Sequence, residues 1–175
     1  MDENELLHRH KKLLGCLSGL PKQMMAVESL DNITEFVLHG LCNKDCFNLE
    51  RAAYFVDNPD FDCFKGVAGF VRSEHDRDWD NIWSDPEAFV AAMQKSNFNQ
   101  KVRAFLSRSV ISSNKNLDAF VAEIAEELGF VKPTCSSWDM RYFNKGVLVY
   151  EKSDCKDFDE HFLNSLYLLS FCPIF

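Results

Sequence analysis

Two pairs of strand-like runs, each closing on a turn, limit this chain more than any other feature of its sequence. The first pair is Arg51 to Val56 and Phe61 to Val71, separated by Asp57-Asn58-Pro59-Asp60. Asp and Asn side chains bond their own backbone and Pro presets φ, so this tetrapeptide reverses the chain and the pair reads as a β-hairpin. Gly66 and Gly69 lie inside the second run, where they mark a bulge or a close backbone approach. The second pair begins with Ser136 to Phe143, which alternates Trp138, Met140 and Tyr142 against Asp139 and Arg141. Asn144-Lys145-Gly146 reads as a three-residue turn, and Val147 to Tyr150 as a continuous apolar strand in the middle of a sheet. Strands that arrive as hairpins pair antiparallel. The expectation is an α+β domain, with an antiparallel sheet built from two hairpins and helices packed on one face.

The helices follow from periodicity and caps. Leu6, Leu7, Leu13 and Leu14 among charges suit a helix over 3–14, ended by Gly15 and Gly19-Leu20-Pro21. This sets 1–20 apart as an N-terminal helical arm from a single domain over 21–175. Val27, Leu30, Ile33 and Val37 build one apolar face over 22–39, with His39 in the last turn and Gly40 as the cap. Asp85-Pro86 starts a helix over 86–94, and another follows over 98–108. The best periodicity lies in 117–128, between Asn116 and Gly129. A last helix starts near Phe158, with Asp157 and Glu160 at capping-box spacing and Pro173 beyond its end.

Composition removes several alternatives. Sixteen Phe, three Trp and four Tyr in 175 residues can bury enough area to offset chain entropy, which excludes disorder. A net charge of −8 argues against a general nucleic-acid or anionic-membrane binder, since both need a basic face. No run approaches ~18 consecutive apolar residues. The acidic start Met1-Asp2-Glu3-Asn4-Glu5 is unlike a signal peptide, so the expected location is cytoplasmic. There the seven cysteines, spread without a framework spacing, would be free thiols.

Three stretches together resemble the GAF family of small-molecule sensor domains. Arg51-Ala52-Ala53-Tyr54-Phe55-Val56-Asp57 resembles its first strand, and Gly66-Val67-Ala68-Gly69-Phe70-Val71 a glycine-containing family strand. Gly146-Val147-Leu148-Val149-Tyr150-Glu151, then Asp157-Phe158-Asp159-Glu160 and a leucine-rich helix, resembles the last strand, turn and closing helix. Together these span about half the chain; residues 90–130 depart from the family pattern in being more helical. The resemblance implies a GAF/PAS-like fold with a ligand site covered by the region after the second strand.

Candidate chemistry is sparse. No nucleophile elbow, P-loop or dinucleotide fingerprint occurs, so the chain leans away from catalysis. His39, Cys42 and Cys46 give H-x2-C-x3-C, three ligands where a structural zinc needs four, and read as a helix end beside two ordinary thiols rather than a metal site. One GAF-like branch reduces methionine sulfoxide with paired thiols, but Cys63 is the lone thiol on the hairpin. Glu74-His75-Asp76-Arg77-Asp78 reads as a solvated loop or as the mouth of a pocket. Trp79, Trp83 and Trp138 stand in or beside polar sequence, and Tyr54 faces the same side if the sheet forms as drawn. These aromatics with His75 are the candidate ligand-binding residues, suited to a planar or apolar molecule. The leading reading is therefore a non-catalytic, small-molecule-sensing or regulatory protein; the sequence identifies neither ligand nor cofactor. The alternatives are an interaction adaptor or chaperone, with a homodimer or protein partner through the N-terminal helix, and a thiol- or metal-dependent enzyme.

Overall fold

The computed structural model describes residues 3–26, 32–74, 82–153 and 160–172. Helices α1 (Glu3–Ala26) and α2 (Ile33–Cys42) precede strands β1 (Leu49–Asn58) and β2 (Cys63–Val71). Helices α3 (Pro86–Lys95) and α4 (Asn97–Ala104), the short strand β3 (Leu106–Ser107) and helix α5 (Leu117–Glu127) follow. Strands β4 (Thr134–Asp139) and β5 (Lys145–Lys152) lead into α6 (Glu160–Leu166), which tightens into a 3-10 turn over Tyr167–Phe171. The five strands form one sheet in the order β3-β2-β1-β5-β4, every neighbouring pair antiparallel.

Both hairpins form, and β1 and β5 make the centre of the sheet. Their unbroken apolar runs require cover on both sides, and they receive it. Ala52, Tyr54, Val56, Leu148 and Tyr150 pack with Leu13 and Leu20 of α1, Val37, Leu38 and Leu41 of α2, and Phe162 and Leu166 of α6. Ala53, Phe55, Val147 and Val149 face the other way, against Phe98 and Val102 of α4, Phe120, Val121 and Ile124 of α5, and Leu128 just after it. The expectation of helices on one face is corrected here: alternate residues of a fully apolar strand point to opposite sides, so each side needs its own layer.

A bulge decides how β2 meets α4. The β1–β2 register shifts between Tyr54 and Phe55, so Ala68 pairs with Tyr54 and Gly66 with Phe55. The extra residue brings Gly66 and Gly69, three apart, to the same face. There α4 passes so close that a Cβ on Gly66 would lie 1.8 Å from the Val102 carbonyl oxygen, and one on Gly69 2.7 Å from a Val102 methyl. The same helix and the residue after it take the outward N–H groups of β2. Gly66 N donates to the Phe105 carbonyl at 3.0 Å, and Gly69 N to Asn99 Oδ1 at 2.8 Å.

Several boundaries differ from the sequence reading. Helix α1 runs through Gly15, Gly19 and Pro21, because Leu13, Cys16, Leu17, Leu20 and Met24 keep one face apolar across them and bury it on the domain. Helix α2 starts at Ile33, and residues 27–31 lie outside the described ones. Helix α4 ends at Ala104, where the chain turns to pair β3 with β2. The β4–β5 turn spans Met140–Asn144, with Tyr142 and Phe143 at φ 59° and 58°, rather than Asn144–Gly146. Gly146 is already in β5, where a Cβ would sit 2.3 Å from Cε2 of Trp138; its lack of a side chain serves packing, not the turn. The caps at Asp85 and Asn116 are as expected, each side chain accepting from the backbone N–H three residues on. The Asp157 cap falls outside the described residues.

Arg51 ties the second layer together. Its guanidinium lies between the rings of Phe98 and Phe130, 5.3 and 5.4 Å from their centroids, and donates to the carbonyls of Leu128 and Gly129. A cation on the last carbonyls of α5 offsets the negative end of that helix.

Candidate functional site

The segment between β2 and α3 carries three of the five aromatic and histidine candidates. Its first turn, Arg72–Glu74, is held at both ends. Arg72 donates to the carbonyls of Cys42 and Leu49 at 3.1 and 3.0 Å and to Asn48 Oδ1 at 3.0 Å, which locks the end of β2 to the end of α2. The Glu74 carboxylate accepts from Ser96 Oγ and from Phe98 N at 3.2 Å, so it helps cap α4. His75 and Trp79 lie outside the described residues.

The segment re-enters at a second turn, Ile82–Ser84. Trp83 is half-buried there, its ring centroid 4.9 Å from that of Phe36, which in turn stands 4.5 Å from Phe89. Ile82 and Met93 complete this cluster between α2 and α3. His39 joins it from α2, edge-to-face with Phe70 at 5.2 Å and Phe89 at 5.3 Å.

Tyr54 and Trp138 are brought together, but on the sheet. Their rings stack at 5.6 Å with an interplanar angle of 11°, and both are buried. Trp138 Nε1 donates to Ser170 Oγ at 2.8 Å, and Tyr54 Oη contacts Met140 Sδ at 3.7 Å. Each polar tip therefore has a protein partner, as buried Tyr and Trp require. Burial pushes the Tyr54 phenol above its ordinary pKa.

The H-x2-C-x3-C residues do not converge on one point. His39 faces aromatic rings, and among the described residues no three His, Cys, Asp or Glu side chains are grouped to hold a metal ion. Cys42 and Cys46 are buried instead, and burial raises the Cys42 thiol pKa. Cys16, on α1, donates to the Gly40 carbonyl of α2 at 3.7 Å. Cys63, the lone thiol of the first hairpin, is partly buried in β2.

A buried ion pair escaped the sequence reading. Glu35 is 2% exposed on α2 and takes Arg103 Nη1 of α4 at 2.6 Å, while the arginine is half in solvent. Desolvation raises the Glu35 pKa, opposed by Arg103 and Asn99. An acid between Thr34 and Phe36 in an otherwise apolar helix was the available signal. Its linkage has a definite sign. A carboxyl with a raised folded-state pKa contributes stability fully below its unfolded pKa and loses it as pH rises through the folded value. Arg103→Met removes the opposing charge and drives the pKa higher. The variant should lose about 1–2 kcal/mol at pH 7.5, discounted for the exposed guanidinium, and little near pH 4.5. Equal losses in urea titrations at both pH values would sink this account.

Comparison with known proteins bears on the fold. No family model and no curated protein sequence matches the chain. Among solved structures it is similar to the GAF domain of a phosphoenolpyruvate-protein phosphotransferase from Coxiella burnetii, at a TM-score of 0.55 and 13% identity, over 92% of this chain and 89% of that one. The chain has a GAF-like fold. The stretches that resembled the GAF family in sequence are strands of this fold: Arg51–Asp57 lies within β1, Gly66–Val71 within β2 and Gly146–Glu151 within β5. Trp83 packs against the same apolar cluster, on one face of this sheet, that holds the Tyr54–Trp138 stack. No helix among the described residues is long and apolar enough to cross a membrane.

Proposed function

We propose that this GAF-like chain is a non-catalytic regulatory domain that senses a small molecule, with its ligand site where the segment after β2 meets α2 and α3. The observation that carries the proposal is how that segment is held. Its near end is pinned by Arg72 and Glu74, and its far end by Trp83 on Phe36. The aromatic cluster between α2 and α3 that Trp83 joins can take a planar or apolar molecule, and the Arg72 and Glu74 bonds can pass its binding to α2 and α4. Trp83, Phe36 and His39 would form the aromatic side of the site. Tyr54 and Trp138, already satisfied by Met140 and Ser170, serve as its packed support. The domain acts in the cytoplasm.

A thermal-shift panel of nucleotides, haem and linear tetrapyrroles tests the reading. A true ligand at about 100 times its Kd should raise Tm by roughly 5–10 °C. Trp83→Leu should shrink that rise without lowering Tm by more than a few degrees. A panel with no shift removes the proposal. A second reading, the interaction adaptor, is favoured by one observation: Leu163, Tyr167 and Phe171 recur every four residues at 53%, 47% and 73% exposure on α6 and its 3-10 extension. A silent panel together with a dimer in light scattering would transfer the function to that surface.

A further inference from the structure

Two loop tips leave the sheet side by side, and both carry exposed aromatic rings. Asp57 of β1 pairs with Lys145 of β5, and Lys145 with Asp139 of β4. The turns 59–62 and 140–144 therefore emerge at one level from four neighbouring strands, roughly 10 Å apart. Arg72 holds the opposite end of the sheet, at the Leu49 carbonyl. The loop after β3 packs against the first tip: Arg108 donates to Asp62 Oδ2 at 2.8 Å, Ile111 N to Asp57 Oδ2 at 3.1 Å and Ser112 Oγ to the Pro59 carbonyl at 3.2 Å. Phe61, Leu106, Ile111, Tyr142 and Phe143, five of the twelve exposed large apolar side chains among the described residues, all stand at this end. Tyr142 and Phe143 are 79% and 87% exposed on a left-handed backbone. Bulky side chains cost conformational energy there, and packing inside the domain returns little to rings so exposed. The charge balance reverses as well. Residues 59–62, 106–115 and 139–145 carry four Lys or Arg and three Asp, in a chain of net charge −8. Two of those acids already face cations, Asp62 with Arg108 and Asp139 with Lys145 at 3.6 Å.

We propose that this end of the sheet docks on a zwitterionic bilayer surface, with Phe61, Tyr142 and Phe143 entering the headgroup region and Arg141 meeting lipid phosphate. Aromatic rings settle at that depth, where one part of the ring is apolar-facing and the rest is wet, and an arginine beside them keeps its charge at the phosphates. Two tips at one level, with Leu106 and Ile111 beside them, present a row that a plane meets all at once. A chain this acidic is repelled by an anionic leaflet. The fit is therefore to phosphatidylcholine, which has no net charge and whose phosphate is open to Arg141. The attachment is reversible, because a few rings bury far less apolar area than a spanning helix. This inference stands apart from the sensing role proposed above, which uses the segment after β2 at the other end of the sheet.

The test sediments the full chain with sucrose-loaded phosphatidylcholine vesicles. The expected result is co-sedimentation that weakens at least ~10-fold when Tyr142→Ser and Phe143→Ser are combined, with the melting temperature held. Tyr167→Ser, on the exposed face of the α6 extension, should bind as the wild type does. In Phe143→Trp, the added indole emission should shift to the blue on vesicles and be quenched by lipids with brominated chains. A wild type that stays in the supernatant, an equal loss in Tyr167→Ser, or an indole that bromolipid leaves unquenched would each overturn the proposal. So would a dimer in light scattering that the Tyr142→Ser and Phe143→Ser pair splits while vesicle binding is unchanged, since the tips would then be a protein interface.

Discussion

Gly66→Ala should leave little soluble folded protein. Its Cβ would fall 1.8 Å from the carbonyl oxygen of Val102, a backbone atom of α4 that no rotamer change can move aside. Relief requires α4 to lift from β2, which breaks the Gly66 N–H bond to Phe105 and opens the layer built on Phe98 and Val102. The expected loss is about 3 kcal/mol or more, at the upper end for overpacking. Gly69→Ala supplies the comparison, because its Cβ meets the Val102 methyl at 2.7 Å and the Phe98 ring at 3.1 Å, which are side-chain atoms able to yield. Urea midpoints of the two variants should therefore differ, with Gly66→Ala the less stable. Wild-type stability for Gly66→Ala, or the reverse order, would show that α4 does not lie where the fold places it.

Asn99→Leu should be nearly as damaging, for a polar reason. The Asn99 side chain is buried at 2% exposure, accepts from Gly69 N at 2.8 Å and donates to the Met93 carbonyl at 3.1 Å. Leucine fills a similar volume but leaves a buried strand-edge N–H and a buried carbonyl at the end of α3 without partners. Each such group costs about 1–3 kcal/mol, so a total near 3 kcal/mol is expected. Denaturation gives the energy, and hydrogen exchange gives the place: the Gly69 amide should lose protection while the amides between β1 and β5 keep theirs. A loss below about 1 kcal/mol with Gly69 still protected would mean that water replaces the asparagine at no cost.

Much of the sheet is legible in the sequence alone. The Asp57-Asn58-Pro59-Asp60 signal and the alternation around Trp138 announce both hairpins, because turn chemistry and a period of two are local properties, although Asp57 and Asn58 still pair within β1 and the turn itself is Pro59–Asp62. The helices with capping side chains are equally plain. What misleads are residues whose role is to fit something distant in sequence. Gly146 reads as a turn glycine but lies under Trp138, and Gly15, Gly19 and Pro21 read as a helix end but are carried through by a buried face. The continuous apolar run Val147–Tyr150 does imply cover on both faces of the sheet, against the expectation of helices on one face.

Candidate chemistry is less legible than the strands. Trp83, Tyr54 and Trp138 stand out as residue types, but only the fold separates a tryptophan half-buried on Phe36 from a stacked pair with satisfied polar tips. Glu35 and Arg103 stand 68 residues apart, and nothing near either announces the other. By itself, then, the sequence determined the hairpins, the capped helices and a net acidic charge, all of which follow from local residue chemistry. The tertiary structure alone decided the β2 bulge that turns both glycines to α4 and the Glu35–Arg103 pair. Those depend on which distant surfaces close-pack, and a local pattern carries no record of its partner.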